Sequence, residues 1–189
     1  MKVLVACEFS GVVRDAFIER GHDAYSCDLI RCFKSKNYER HIVGDCQSYL
    51  KQEWDLVIAH PPCTYLTKAS APFRNRKGRK DRMALACAFF LRCLAANSPR
   101  VCVENPVMLL EAREMIGTTY TQIIQPYEYG EPESKATCLW LKGLPKLVPT
   151  KIVTGRLETK QRLSPSPMRG RLRSITTHGV AKAMAEQWG

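Results

Sequence analysis

The sequence contains no run of about 18 apolar residues, which excludes an ordinary membrane-spanning helix. It has no Cys-x-x-Cys pair, so a closed zinc site is not expected. It lacks a Gly-x-Gly-x-x-Gly fingerprint and a P-loop lysine motif, which removes the usual cradles for NAD and nucleoside triphosphates. Internal repeats and low-complexity tracts are missing, so solenoids and disordered linkers are not expected. The first apolar run, Val3 to Cys7, is too short for a signal peptide and has no small-residue cleavage site. It reads as a first strand, and the chain is expected to be cytoplasmic.

What is present is globular. The 189 residues are 45% hydrophobic and 25% charged, ordinary values for a folded domain. The length suits one domain over 1–189 with a real core. Nine cysteines, an odd number, point away from a disulfide framework. Most are expected to be small core residues, with one or two at most carrying chemistry.

Acidic side chains are few, 18 against 29 Lys and Arg, giving a net charge of +11. The surplus has an address. Residues 68–82 and 151–173 each hold seven basic side chains and one acid, while the remaining 151 residues hold 15 basic and 16 acidic ones. Both segments contain Gly and Pro, lack helical or alternating periodicity, and read as loops or arms. One such run is usually a solvated surface. Two beside a neutral remainder favour a polyanion, nucleic acid first. Neither lies on an amphipathic helix, so a membrane surface is disfavoured. Arg74, Arg76, Lys77, Arg79 and Lys80 are the candidate phosphate contacts of the first segment.

Strand and helix signals alternate along the chain. Strands are expected over 3–7, 23–27, 41–43, 54–59 and 101–103, with a late pair at 120–125 and 137–141. A helix follows the first strand, with Ser10 as its expected N-cap and Gly21 as its stop. Others are expected near 81–96, 107–116 and 179–188. The first of these has Ala84, Cys87, Ala88 and Leu91 on one face. The pattern predicts an α/β fold, a mostly parallel sheet with helices on both faces. In such sheets ligands bind at the carboxyl ends of the strands. The unusual polar clusters fall there: Glu8-Phe9-Ser10-Gly11, Asp28, Asp45, Pro61-Pro62-Cys63 and Glu104-Asn105.

Each cluster has a chemistry. Gly11 permits close approach to the backbone, although one glycine in a β–α turn is commonplace. Asp28 suits ribose hydroxyls and Asp45 a base edge, although each residue type often only caps a turn. Together they describe a nucleoside pocket without a phosphate clamp, and S-adenosylmethionine is such a ligand. Two prolines hold Cys63 rigidly after a buried strand, and a cationic loop beside it would stabilise a thiolate. Glu104 could protonate or hydrogen-bond a heterocyclic ring nitrogen. Its ordinary alternative is a helix N-terminal acid ahead of Pro106.

As an ordered set these segments resemble the cytosine carbon-5 DNA methyltransferases. Phe9-Ser10-Gly11, Asp28 and Gly44-Asp45 look like that family's three cofactor motifs, with Pro61 beside them. Pro61-Pro62-Cys63 looks like its nucleophile motif and Glu104-Asn105 like its Glu-Asn motif. The 68–82 segment lies where the family has a mobile catalytic loop. Gly130-x-Pro132-x-Ser134-Lys135 resembles the segment bearing a Gln-x-Arg-x-Arg signature, with Glu133, Lys135 and Thr137 in place of the signature residues. Residues 179–186 resemble the last motif.

The resemblance implies a Rossmann-like methyltransferase fold with S-adenosylmethionine as cofactor. It implies DNA as substrate, single-stranded or non-specific duplex, because only residues 143–173 stand where a large target-recognition region is usual. The compact form suits a bacterial virus by analogy. It further implies Cys63 as nucleophile on carbon 6, Glu104 at nitrogen 3, Asn105 as an orienting group and Lys135 near the base. Two alternatives stand beside it: a non-catalytic DNA-binding or masking protein that keeps the fold, and a methyltransferase for free nucleotides.

Overall fold

A computed structural model describes residues 1–32, 35–67, 77–155, 157 and 163–189. Seven strands form one sheet: β1 (Lys2–Ala6), β2 (Asp23–Asp28), β3 (His41–Val43), β4 (Leu56–Ala59), β5 (Val101–Pro106), β6 (Gln122–Ile124) and β7 (Thr137–Lys142). Their spatial order is β3-β2-β1-β4-β5-β7-β6. Neighbouring pairs from β3 to β5 are parallel, and β7 runs antiparallel to both β5 and β6. The five early strands and the late pair therefore lie where alternation and β-propensity put them. The central strands are apolar because both their faces are covered. Val3–Ala6 and Leu56–Ala59 are fully buried, and each large aliphatic side chain there contributes roughly 1.5–3 kcal/mol.

The described residues form five helices: α1 (Val12–Ile18), α2 (Arg79–Leu94), α3 (Leu110–Ile116), α4 (Arg169–Ser174) and α5 (His178–Trp188). All but α4, which buries none of its residues, cover the sheet. Val13 and Phe17 of α1 pack with Val180, Met184 and Trp188 of α5 on one face. Met83, Cys87, Phe90 and Cys93 of α2 pack with Ala112 and Ile116 of α3 on the other. That stripe corrects the expected face of α2, because Ala84, Ala88 and Leu91 are exposed. Phe90 lies edge-on to Trp140 at 4.9 Å and sets the rotation of the helix. A large aromatic contact outweighs a stripe of small residues, since burial stabilises in proportion to area.

Two further expectations change, and one alternative is excluded. The basic segments are not wholly irregular, because α2 starts at Arg79 within one and α4 lies at the end of the other. Glu104 is not a helix-terminal acid: β5 continues through Pro106, and α3 begins only at Leu110. Ser10 does not dominate the α1 cap. Glu8 accepts hydrogen bonds from the backbone N–H of Val13 (2.6 Å) and Arg14 (3.3 Å), while Ser10 Oγ accepts only a long one from Val12. Cysteine usage is as expected: all nine are free thiols, and six are buried. Among the described residues no helix is long and apolar enough to cross a membrane.

Candidate active site at the carboxyl edge of the sheet

The exits of β1, β4 and β5 lie side by side because β4 sits between the other two strands. After β1 the chain turns through Cys7, which has a left-handed φ of 59°, into buried Glu8. Gly11 is also left-handed, and a Cβ there would collide with the buried Arg14 guanidinium. Arg14 is itself fixed by Ser26, Ser35 and Asp15. The glycine is therefore required by its own fold.

After β4, the His60 N–H donates to the Ala6 carbonyl at 2.9 Å, carrying the strand pairing one residue further. Its ring then lies beside β5, with Nδ1 2.9 Å from Glu104 Oε2. Both ring nitrogens of His60 are buried, and neither makes an aligned hydrogen bond among the described residues; Nδ1 meets Glu104 as an ion-pair contact and Nε2 has no partner. Burial opposes charging of the imidazole, but the Glu104 and Glu8 carboxylates outweigh it and raise its pKa. Glu104 shows the reverse balance. Burial alone would raise it, yet His60, Lys135 and the Thr176 hydroxyl hold it down at about 2. Glu8 is pushed up, chiefly by its burial. A buried imidazole thus lies within electrostatic reach of two buried carboxylates, and one of them is paired with it in direct contact.

Cys63 sits three residues beyond His60 on the Pro61-Pro62 corner. Asn105 Nδ2 donates to the Pro61 carbonyl at 2.8 Å, and the chain closes a turn from the Cys63 carbonyl to the Leu66 N–H at 2.9 Å. Leu66 in turn bonds Leu109, so the corner is laced to the segment after β5. Cys63 is half-buried. Its surroundings correct the expectation of a stabilised thiolate, because burial is the largest influence and raises its pKa. Its own backbone N–H, Lys135 and Arg173 act in the opposite direction. These two cations come from the segment before β7 and from α4.

The structure thus brings Cys63, Glu104, Asn105 and Lys135 together, with Phe9, Ser10, Gly11 and Pro61 along the same edge. Asp28 and Asp45 stand farther along it, at β2 and β3, and do what turn acids do. Asp28 accepts from Ile30 N–H, and Asp45 from the Gln47 backbone and side chain. A cavity of about 730 Å³ opens beside Phe9 and Ser10 and runs between α1 and the α4–α5 segment, past Ile175 and His178. It does not reach the two aspartates. Among the phosphate candidates, Arg74 and Arg76 lie outside the described residues, and Lys77 and Lys80 are exposed. Arg79 corrects the expectation: it is buried, with its guanidinium carbon 5.8 Å from the centre of the Tyr65 ring. Among the described residues no cluster of three or more His, Cys, Asp or Glu could hold a metal.

The sequence marks Glu8 within the first polar cluster and Arg173 within the second basic segment but gives neither a role at the site, and it does not mark His60 or Thr176. His60 carried a usable signal, since it directly follows a buried strand, the same position that marked Asp28.

No family model and no curated protein matches the sequence. Solved structures are similar in fold. One is described as a DNA modification methyltransferase encoded within a prophage (E. coli). It is 14% identical, with a TM-score of 0.54 over 87% of this chain and 55% of the other. Another is the Entamoeba histolytica methyltransferase EhMeth, 15% identical, with a TM-score of 0.50 over 81% of this chain and 57% of the other. The chain spans little more than half the length of these structures. With the strand order above, the likeness shows a Rossmann-like methyltransferase fold.

Proposed function

We propose that the chain is an S-adenosylmethionine-dependent methyltransferase that acts on carbon 5 of cytosine in DNA through a covalent Cys63 adduct. The observation that carries this reading is the Asn105–Pro61 hydrogen bond, which locks the loop bearing Cys63 onto the strand bearing Glu104. A nucleophile and an acid for one ring must keep a fixed separation, and this contact provides it.

Part of the sheet edge fits the cofactor. Phe9 and Ser10 line a cavity large enough for a nucleoside, and Gly11 turns the chain tightly beside them. The Asp28 and Asp45 carboxylates stand at the next two strand exits, outside that cavity; with Pro61 they would hold the cofactor where it extends past the cavity along the edge. When bound, S-adenosylmethionine supplies an electrophilic methyl group. The protein's own part is to make carbon 5 nucleophilic. Cys63 adds to carbon 6, Glu104 takes up a position at nitrogen 3, and Asn105 keeps the two loops in register. A base in duplex DNA must leave the stack, at a cost of a few kcal/mol. Phosphate contacts from the basic segments would offset that cost.

One observation favours a second reading. Glu104 is ionised and the Cys63 thiol is pushed up by burial, opposite to the states in which an acid and a nucleophile act. A non-catalytic DNA-binding protein that retained the fold would tolerate this. Labelled S-adenosylmethionine and cytosine-bearing DNA separate the two. The enzyme should place label on carbon 5, and Cys63→Ala should abolish transfer while cofactor binding persists. Transfer that survives Cys63→Ala overturns the covalent mechanism. Salt-sensitive DNA binding with no turnover supports the second reading.

A further inference from the structure

The carbon-5 reading leaves an ionised Glu104 without a proton to give, and the structure points to where that proton is kept. Resting on that reading, we propose that His60 and Glu104 hold one shared proton as the acid of the site. His60 carries it at rest, and Glu104 delivers it to the ring nitrogen of the base.

Three observations support this. First, the contact is direct: Nδ1 of His60 and Oε2 of Glu104 are 2.9 Å apart, with both side chains about nine-tenths buried. A buried ion pair is costly to build and is weak grounds for stability alone. Here neither ring nitrogen of His60 makes an aligned hydrogen bond among the described residues: Nδ1 meets Glu104 as a short ion-pair contact, and Nε2 has no partner. Second, the neighbouring charges favour a cationic ring. Burial of the His60 ring opposes its charging, Glu104 from β5 and Glu8 from the turn after β1 favour it, and Lys135 from the segment before β7 opposes it; Asp28 at the end of β2 is also within electrostatic reach. The carboxylates outweigh both burial and the lysine. Third, Glu104 adjoins a cavity of about 10 Å³, formed with Lys135, Thr137, Thr176 and others. That is the room of about one water.

The step balances. Glu104 takes the proton that His60 carries at rest, leaving a neutral imidazole. As the Cys63 sulfur bonds carbon 6, its S–H proton leaves to solvent and the ring electrons move to nitrogen 3, which takes the proton from Glu104. Carbon 5 then bonds the methyl group that S-adenosylmethionine would supply, the double bond to nitrogen 3 re-forms, and nitrogen 3 returns its proton to the pair. Loss of the carbon-5 proton to solvent restores the ring double bond and breaks the carbon–sulfur bond, and the released sulfur regains a proton from solvent. The pair ends as it began. His60 touches no reacting atom in this scheme. It is a positioning residue that acts through Glu104.

Two measurements test this on the full chain. The first needs no cofactor or DNA: follow the His60 ring resonances with pH by NMR in the wild type and in Glu104→Gln. The titration midpoint should be lower in Glu104→Gln, and an unchanged midpoint overturns the shared proton. The second is the pH profile of label transfer to DNA. In the wild type, kcat should fall as pH rises through the His60 titration. In His60→Gln, kcat should drop roughly 100-fold and lose that limb, with KM for DNA unchanged. A His60→Gln profile that keeps the wild-type alkaline limb overturns the proposal. So does a loss confined to KM. If His60→Gln fails to fold, the NMR comparison in Glu104→Gln still decides. A wild-type protein that labels no DNA, yet shows the coupled titration, overturns the carbon-5 reading and the delivery step but not the shared proton.

Discussion

The Asn105 amide donates to the Pro61 carbonyl at 2.8 Å and ties the two strand exits that carry Glu104 and Cys63. Asn105 is only 1% exposed. Asn105→Ala leaves that carbonyl in a dry site without its donor, which costs about 1–3 kcal/mol. Urea unfolding should show the loss. Transfer to DNA should fall further than stability explains, because the corner bearing Cys63 is no longer pinned. Wild-type kcat in Asn105→Ala would show that the bond has no part in positioning.

Glu8 is the second such tie. Its carboxylate, 4% exposed, satisfies two of the backbone N–H groups that open α1. Glu8→Ala should therefore cost about 0.5–2 kcal/mol, as loss of a helix cap does. Glu8→Gln keeps an acceptor and should recover much of it. Guanidinium titrations of the two variants measure the difference. Equal losses would assign the role to charge toward His60 rather than to the cap.

These two contacts show where sequence reading succeeds and where it stops. Strand order and the position of Cys63, Glu104 and Asn105 were legible because they follow from alternation and from polar residues placed just past apolar runs. The partner of each side chain was not. Nothing in the sequence says that residue 60 will face residue 104, since that pairing exists only once β4 lies beside β5. The state of the Cys63 thiol is illegible for a related reason. The prolines and nearby cations are visible in sequence, whereas the burial that outweighs them is a property of packing. Charge alone marks Arg79 as a phosphate contact, yet Tyr65 and the start of α2 take it inside.

The His60–Glu104 pair gives stability a specific pH window. Glu104 is held at about 2, below the ordinary carboxyl value of about 4.3. Its contribution is present above the ordinary value and is lost as pH falls toward 2. His60 is raised above its ordinary value of about 6.5. Its contribution is present below that value and is lost as pH rises through the raised one. Thermal unfolding should thus be most favourable to the fold between these limits. Glu104→Gln should flatten both flanks and, by breaking a buried pair, cost about 3–5 kcal/mol near pH 6. Unchanged flanks in Glu104→Gln would show that other groups set them.

Gly179 is required sterically at the start of α5. A Cβ there would overlap the Tyr129 carbonyl, and the Gly179 N–H donates to Glu131 Oε1 at 2.7 Å. Gly179→Ala must displace one or both, at about 1–3 kcal/mol. Gly170, in α4, has open space around it, so Gly170→Ala should be neutral or stabilising by a few tenths to about 1 kcal/mol. Melting temperatures of the two single variants make the comparison. Similar behaviour would show that the approach of α5 to Tyr129 relaxes at no cost.

The basic segment after Cys63 separates exposed cations from a packed one. Lys77 and Lys80 are exposed, whereas Arg79 is 6% exposed against Tyr65. If the segment grips DNA phosphates, each exposed lysine adds to counterion release, and Lys77→Ala or Lys80→Ala should each reduce the slope of log affinity against log salt by about 1. Arg79→Ala should leave that slope alone and instead lower thermal stability, through lost packing of its stem and ring contact. Fluorescence anisotropy with short duplex and single-stranded DNA at several salt concentrations reads the slopes. An Arg79→Ala slope reduced as much as that of Lys80→Ala would mean that the guanidinium leaves Tyr65 when DNA binds, so that the loop rearranges on the substrate.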